Sequence, residues 1–178
     1  LRYFKKGANT SASIDYKDGG SPVSEADLAV DALLKARLTP LVQGSGWLSE
    51  ETADTPERLS RAQVFIVDPI DGTRAFIKGD PRWGVSLALV ENGRPVRAVL
   101  HMPALRETYV AIAGEGAELN GAPLRASPRP DLKGARFAGP VKAMEGLDKQ
   151  GYAVERAPRV PSLAYRLAMV ASGALEAA

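Results

Sequence analysis

The stretch Val64-Phe-Ile-Val-Asp-Pro-Ile-Asp-Gly-Thr73 decides both the fold and the candidate chemistry of this 178-residue chain. Its apolar first half predicts a buried strand. That strand places Asp68 at its carboxyl end, where ligand crevices tend to open, and Asp71 follows so closely that both carboxylates can face one point. Gly72 and Thr73 can then begin a helix, whose free N–H groups favour phosphate. Two carboxylates beside such amides are suited to a Mg²⁺–phosphate site.

A β-hairpin is the alternative interpretation of the same stretch. Apolar residues flank Asp71-Gly72 on both sides, which is the pattern of a tight two-residue turn, and Asp68 would then only be solvated. The other acidic residues also have simple explanations. Glu50-Glu51 fits a solvated loop, and Asp27 fits the acidic partner of Ser24 in a capping box that begins a helix.

Five acidic residues nevertheless lie at the ends of predicted elements, namely Asp27, Glu50, Glu51, Asp68 and Asp71. Carboxylates that cluster without cations repel one another strongly. Divalent metal ions would remove this repulsion and give the acidic residues a shared role.

The composition narrows the possible functions. Hydrophobic residues make up 45% and charged residues 25% of the chain, as in ordinary globular domains. Cysteine is absent and His101 is the single histidine, which excludes disulfide scaffolds, cysteine nucleophiles and multi-histidine zinc sites. The net charge of +2 is dispersed, no apolar run approaches a membrane span, and no signal peptide is visible. We therefore expect a cytoplasmic protein that binds neither nucleic acid nor membranes.

Helical and strand patterns are mixed along the chain. A helix is predicted from the capping box at Ser24 up to Pro40, and a buried helix over Ser162–Ser172. Strands are predicted over residues 64–67, 83–90, 95–102, 107–112 and 118–124. Asn92-Gly93 is a strong hairpin signal between two of these strands. This mixture favours α+β layers over an alternating doubly wound sheet.

Several segments resemble the inositol monophosphatase superfamily of Mg²⁺-dependent, lithium-sensitive phosphomonoesterases. Trp47-Leu-Ser-Glu-Glu-Thr52 resembles its acidic motif, and Ile66-Val-Asp-Pro-Ile-Asp-Gly-Thr73 resembles its Asp-Pro-Ile-Asp-Gly-Thr motif. Ser21-Pro-Val-Ser-Glu-Ala-Asp27 resembles the segment that precedes them, with Lys17-Asp18 on the expected mobile loop. Ala168-Met-Val-Ala-Ser-Gly173 resembles a late helix of the family, so that the resemblance extends over nearly the whole chain.

The resemblance implies an αβαβα sandwich that hydrolyses phosphomonoesters by a metal-activated water, with two or three Mg²⁺ ions. The metal ligands that it implies are Glu50, Asp68, the carbonyl of Ile70 and Asp71. Thr73, with Glu50 or Asp27 nearby, would orient the attacking water, and the amides of Gly72 and Thr73 would bind the phosphate. Glu51 would contact the metal-binding residues without binding a metal ion itself.

The sequence departs from the family pattern in two places. The family's later Trp-Asp motif, which completes the second metal site, lies beyond the end of this chain. Val160-Pro-Ser-Leu-Ala164 also lacks the usual Gly-Ser or Gly-Thr pair at the start of the late helix. We therefore expect a chain incomplete at both ends, with residues 1–125 as an N-terminal lobe that carries the metal and phosphate motifs and 126–178 as the start of a truncated C-terminal lobe.

The expected substrate is a small phosphorylated metabolite. Inositol monophosphate, 3'-phosphoadenosine 5'-phosphate and histidinol phosphate are all candidates, and Arg74-Ala-Phe-Ile-Lys78 favours the last two slightly. Arg74 and Lys78 lie four residues apart, so they are candidates for reading a second anionic group. A homodimer is the expectation from the family. The alternative is a non-catalytic binding or regulatory protein that retains the phosphatase fold.

Overall fold

The computed structural model describes residues 1–178. Its strands are β1 (Ile14–Tyr16), β2 (Pro22–Ser24), β3 (Gly46–Ser49), β4 (Gln63–Asp71), β5 (Gly84–Glu91), β6 (Arg94–Met102), β7 (Glu107–Ile112), β8 (Gly116–Leu119), β9 (Ala122–Pro123), β10 (Arg136–Phe137) and β11 (Glu155–Arg156). Its α-helices are α1 (Glu25–Leu38), α2 (Thr73–Ile77), α3 (Val141–Lys149) and α4 (Leu163–Ala171). Strands β3 to β9 form one seven-stranded sheet in chain order, while β1-β2 and β10-β11 form two-stranded sheets. The predicted mixture of antiparallel strands and flanking helices is confirmed.

Strand β4 contains most of the stretch Val64–Thr73 and lies in the sheet between β3, to which it is parallel, and β5, to which it is antiparallel. Its pairing with β5 is regular up to Asp68 and then shifts register before Asp71. Pro69 lies in this irregular segment, where its missing N–H costs no ladder hydrogen bond. The strand therefore continues through both aspartates instead of ending at Asp68. Asp71 pairs with Gly84 across the sheet, so the tight-hairpin interpretation of Asp71-Gly72 is wrong.

Helix α1 begins as the capping box predicts. The side chain of Asp27 accepts hydrogen bonds from the backbone N–H of Ser24 at 2.9 Å and from its hydroxyl at 2.6 Å. The helix ends at Leu38, where a 3₁₀ turn containing Pro40 follows. Leu38 lies beside Phe65, so α1 covers the face of the sheet that the odd-numbered apolar residues of β4 share.

Helix α4 covers the opposite face of the sheet. Tyr165 from α4 packs with Leu100, Met102 and Tyr109 from the sheet. Because Leu163 and Leu167 are 53% and 57% exposed, the prediction of a buried helix is wrong for the outer side of α4. The helix is amphipathic, and only its inner side packs against the sheet.

An aromatic cluster anchors the segment that follows β4. Phe76 on α2 meets the ring of Trp83 edge-on, with ring centroids 4.9 Å apart and planes at 87°. Phe4 lies 5.3 Å from the same Trp83 ring, so the start of the chain also joins this core. Ile70 is 2% exposed in the same cluster and holds the end of β4 in place. None of the helices has the length and apolar character needed to span a bilayer.

Gly84 allows β5 and β6 to approach closely, which leads to a stability prediction. A Cβ at this position would lie 2.8 Å from the carbonyl oxygen of His101 and would also press on Met102. We expect Gly84→Ala to lower the free energy of unfolding by about 1–3 kcal/mol, the usual cost of overpacking. Gly146→Ala, in α3 where a Cβ meets nothing within 4 Å, is the matched control. Urea denaturation checks both variants, and equal stability of Gly84→Ala and the unmodified protein would contradict the close approach.

Candidate active site

Asp68 lies at the centre of a group of acidic side chains. Burial raises the pKa of its carboxyl to about 7, and the negative charges of Glu50, Asp71 and Asp27 add to this rise. The backbone N–H of Ile70 donates a hydrogen bond to the Asp68 carboxylate at 3.1 Å, which lowers the pKa but offsets only part of the rise. Negative charges from a helix, a loop and the same strand therefore act together on Asp68.

Thr73 is held between two oxygen acceptors. Its hydroxyl lies 3.3 Å from a carboxylate oxygen of Asp27 and 3.1 Å from the carbonyl oxygen of Ile70. Asp27 is completely buried and uses its other oxygen to cap α1 through Ser24. The capping interpretation and the active-site interpretation of Asp27 are thus compatible, because each uses a different oxygen of the same carboxylate.

Asp71 connects the end of β4 to the start of α4. Its carboxylate accepts hydrogen bonds from the amides of Leu163 at 3.2 Å and Ala164 at 2.7 Å. The hydroxyl of Ser162 also donates to it, and accepts from the amide of Tyr165 at 2.9 Å as the N-cap of α4. A negative charge at a helix N-terminus is stabilising, so Asp71 helps to hold α4 against the sheet.

Glu50 and Glu51 share one lysine from the turn between β1 and β2. The ammonium group of Lys17 lies 3.2 Å from the carboxylate of Glu50 and 2.9 Å from that of Glu51. The Glu51 side chain is 3% exposed, and burial raises the pKa of its carboxyl. The prediction that this acidic pair is only a solvated loop is wrong for Glu51, whereas Glu50 is 53% exposed.

Gly72 and Thr73 form the start of the short helix α2, as predicted. Gly72 has a φ of +95°, a backbone conformation that favours glycine. A Cβ there would lie 3.3 Å from the carbonyl oxygen of Arg82 and 3.4 Å from the Cβ of Ser162. The first amides of α2 have no acceptor within the helix, which leaves them free for an anion.

The donor set fits a hard divalent cation such as Mg²⁺, although no three carboxylates converge on a common point in this arrangement. The carboxylate of Glu50 instead accepts a hydrogen bond from Lys17, and that of Asp71 accepts one from a backbone amide of α4. The pKa of the Asp68 carboxyl is raised. All the candidate ligands are oxygen atoms, which is the set that Mg²⁺ prefers. A cation beside Asp68 would stabilise its ionised form against both its burial and the neighbouring negative charges, which together raise its pKa.

Sequence reasoning missed three features of this site. The contact of Lys17 with the acidic pair spans more than thirty residues, and no local pattern predicts it. Ser162 as the N-cap of α4 has a signal, namely a serine directly before an apolar periodic run. Asp31 is 6% exposed one turn after Asp27 on α1, and accepts a hydrogen bond from Thr52. The spacing of Asp27 and Asp31 was the available signal for that second buried acid.

The comparisons with known proteins agree with this geometry. A profile described as "Inositol monophosphatase family" matches residues 2–178. The chain belongs to the inositol monophosphatase family. Within this family the chain resembles the histidinol-phosphatase of Chlorobaculum parvum, with 38% identity over 127 residues, which is 71% of this chain and 47% of that protein.

Another curated relative is the 3'(2'),5'-bisphosphate nucleotidase CysQ of Aggregatibacter actinomycetemcomitans, 38% identical over 109 residues, or 60% of this chain and 40% of that protein. Among solved structures, the extragenic suppressor protein SuhB from Bartonella henselae superposes with a TM-score of 0.81 at 29% identity, covering 93% of this chain and 66% of that one. The chain therefore spans less than half the length of these two curated relatives, and the family fold is confirmed.

The contrasting surroundings of Asp68 and Asp71 predict opposite effects of the same substitution on stability. A raised carboxyl pKa favours the folded state while the group is protonated, and this contribution is lost as the pH rises from about 4 to about 7. In metal-free buffer at pH 8, we expect Asp68→Asn to stabilise the fold by on the order of 1–2 kcal/mol, after allowing for its partial exposure. Asp71→Asn should destabilise it by about 1–2 kcal/mol, since α4 loses a charged acceptor.

Thermal unfolding at pH 8 and at pH 4 measures both effects. Near pH 4 the difference between Asp68→Asn and the unmodified protein should shrink, because Asp68 is then protonated in the folded state and no longer carries a buried negative charge. If the two variants shift the melting temperature in the same direction at pH 8, the assignment of distinct roles to the two aspartates is wrong.

Proposed function

We propose that the protein hydrolyses a phosphomonoester of a small metabolite with the help of Mg²⁺. The observation that carries this proposal is the position of Asp68. Its carboxylate is partly buried among the charges of other acidic residues, three residues before the end of β4, and the free amides at the start of α2 follow directly after that strand. A metal–phosphate pair satisfies both halves of this arrangement, because the cation neutralises the carboxylates and the phosphate accepts from the amides.

The residues that would hold the metal ions are those that the family resemblance implies. Glu50, Asp68 and the carbonyl of Ile70 would hold one ion, Asp68 and Asp71 would hold another, and Glu50 would face a weaker third ion. Bound Mg²⁺ supplies positive charge at the phosphate and lowers the pKa of a water molecule. Glu51, buried beside Lys17, would keep Glu50 in position rather than bind metal itself.

Thr73 would orient the water that attacks phosphorus. Its hydroxyl lies within hydrogen-bond distance of both Asp27 and the Ile70 carbonyl, so its proton would go to one of these acceptors and an oxygen lone pair would be left for the water. Gly72 and Thr73 would hold the phosphate through their backbone amides at the start of α2. The position of Thr73 next to both acidic and amide groups supports this double role.

The comparisons support phosphatase activity but do not distinguish between the candidate substrates. One relative is named for histidinol phosphate and another for bisphosphorylated nucleotides. The alternative is a non-catalytic regulatory protein with the same fold. It is supported by the name of one solved relative, which is called a suppressor protein rather than a phosphatase. A cytoplasmic location and a homodimer remain predictions from the sequence.

Thr73→Ala tests the proposal most sharply, with Thr73→Ser as the matched control. We expect kcat for phosphate release in Mg²⁺ to fall by about 10²–10⁴-fold in Thr73→Ala with little change in KM, because one positioning group is lost. Thr73→Ser keeps the hydroxyl and should retain most of the activity. Asp68→Asn should abolish Mg²⁺-dependent release of phosphate.

Histidinol phosphate, inositol 1-phosphate and 3'-phosphoadenosine 5'-phosphate serve as the substrate panel, with phosphate release as the measurement. Hydrolysis of none of them by the unmodified protein at millimolar Mg²⁺ would favour the regulatory alternative. Normal kcat with a much larger KM in Thr73→Ala would show that Thr73 only binds phosphate.

A further inference from the structure

Helix α1 buries two aspartates on one of its faces. The buried residues of the helix are Ala26, Asp27 and Asp31. Asp27 and Asp31 are four residues apart, which places their carboxylates on the same face of the helix, about 6 Å apart along its axis. The proposed function uses Asp27 but gives no role to Asp31, although burying a carboxylate is costly unless it is well paired.

Asp31 contacts the loop that carries the acidic pair Glu50-Glu51. One of its carboxylate oxygens accepts a hydrogen bond from the hydroxyl of Thr52, the residue directly after Glu51. Its other oxygen, Oδ1, is buried without a hydrogen-bond partner. A carboxylate that is 6% exposed and makes one such bond is poorly satisfied. Stability alone is therefore a weak reason for a carboxylate at this position of the helix.

The two aspartates of α1 each hold one threonine of the candidate site. Asp27 lies 3.3 Å from the hydroxyl of Thr73, and Asp31 accepts from the hydroxyl of Thr52. Thr73 begins α2 after β4, whereas Thr52 lies in the loop after β3. Both segments are thus attached to one helix, at points one turn apart. The spacing between the Thr73 hydroxyl and the acidic loop is set by that turn of α1.

We propose that Asp31 is a positioning residue, which acts through Thr52 to hold the loop after β3, and with it Glu50, where Glu50 would bind the metal ion. This inference rests on the proposed function and deepens it, because it gives a role toward Mg²⁺ to a residue that is not among the candidate ligands. Removal of a group that orients metal ligands typically weakens metal binding by about 10–100-fold.

Lys17 is the competing anchor of the same loop. Its ammonium group lies 3.2 Å from the carbonyl oxygen of Glu50, 3.2 Å from the Glu50 carboxylate and 2.9 Å from the Glu51 carboxylate. Lys17 therefore engages the same Glu50 carboxylate that a metal ion would need. The contact between Asp31 and Thr52 involves neither glutamate carboxylate, so it is compatible with a bound ion and with its absence.

A double-mutant cycle tests the contact, with Asp31→Ala and Thr52→Val as the disruptive variants. Calorimetric titration with MgCl₂ at pH 8 gives the dissociation constant for Mg²⁺, and thermal unfolding in NaCl gives the stability of each variant. We expect each single variant to raise the dissociation constant at least about tenfold, because the loop that carries Glu50 is no longer held. The double variant should bind Mg²⁺ no more weakly than either single variant, since all three lose the same contact.

Conservative and nearby substitutions are the controls. Asp31→Asn keeps an acceptor and Thr52→Ser keeps a donor, so each should keep the dissociation constant within about threefold of that of the unmodified protein. Asp54→Ala removes the ion pair between Asp54, in the same loop, and Arg58, and leaves the contact with α1 intact. It should leave the dissociation constant for Mg²⁺ unchanged.

The outcomes separate this inference from the proposed function, because binding requires no hydrolysis. Weaker Mg²⁺ binding in the disruptive variants supports the positioning role even if no phosphate is released from any substrate, in which case only the proposed function fails. A lower melting temperature with an unchanged dissociation constant indicates a merely structural role and overturns the inference. Additive effects in the double variant, or no Mg²⁺ binding by the unmodified protein, also overturn it. Thr52 is only half-buried, so Thr52→Val remains decisive if Asp31→Ala fails to fold.

Discussion

The burial of Asp68 among other carboxylates is the constraint on which the rest of the site depends. Burial raises the pKa of its carboxyl to about 7, and negative charges from α1, from the loop after β3 and from the end of its own strand add to this rise. Such an arrangement is unfavourable for an isolated protein and becomes favourable when a cation is present. The available cation within the chain is Lys17, which lies against Glu50 and Glu51 rather than against Asp68. None of the ion pairs of the protein involves Asp68.

The end of β4 and the segment before β5 also connect the sheet to the C-terminal part of the chain. Asp71 reaches α4 through its carboxylate, and Arg82 reaches Arg159 through a backbone carbonyl. These two contacts cross between parts of the sequence that are about eighty or ninety residues apart. The position of α4 on the sheet therefore depends partly on Asp71, which is itself one of the candidate site residues.

Much of the fold could be predicted from the sequence because its signals are local. The capping box at Ser24, the Asn92-Gly93 turn and the apolar run before Asp68 each depend on a few neighbouring residues, and each is confirmed. The continuation of β4 to Asp71 could not be predicted in this way, since it depends on pairing with β5 and on a register shift at Pro69.

In the candidate site, too, local sequence signals could be predicted and contacts between distant segments could not. Asp27, Glu50, Asp68 and Asp71 could be proposed as site residues from motifs that resemble those of the family. Two of their hydrogen-bond partners could not be predicted, because Lys17 meets Glu50 and Ser162 meets Asp71 only after distant segments pack together. The exposed side of α4 shows the same limit: an apolar helical pattern indicates that some face is buried, but not which residues lie on it.

Thermal unfolding at pH 8 in MgCl₂, compared with NaCl at equal ionic strength, tests the central role of the acidic group most directly. If the carboxylates around Asp68 hold a divalent ion, the melting temperature of the unmodified protein rises in a saturable way with Mg²⁺, because only the folded state binds it. Asp68→Asn should lose most of that rise. An equal response to the two salts, or a full Mg²⁺ response in Asp68→Asn, would contradict a metal site centred on Asp68.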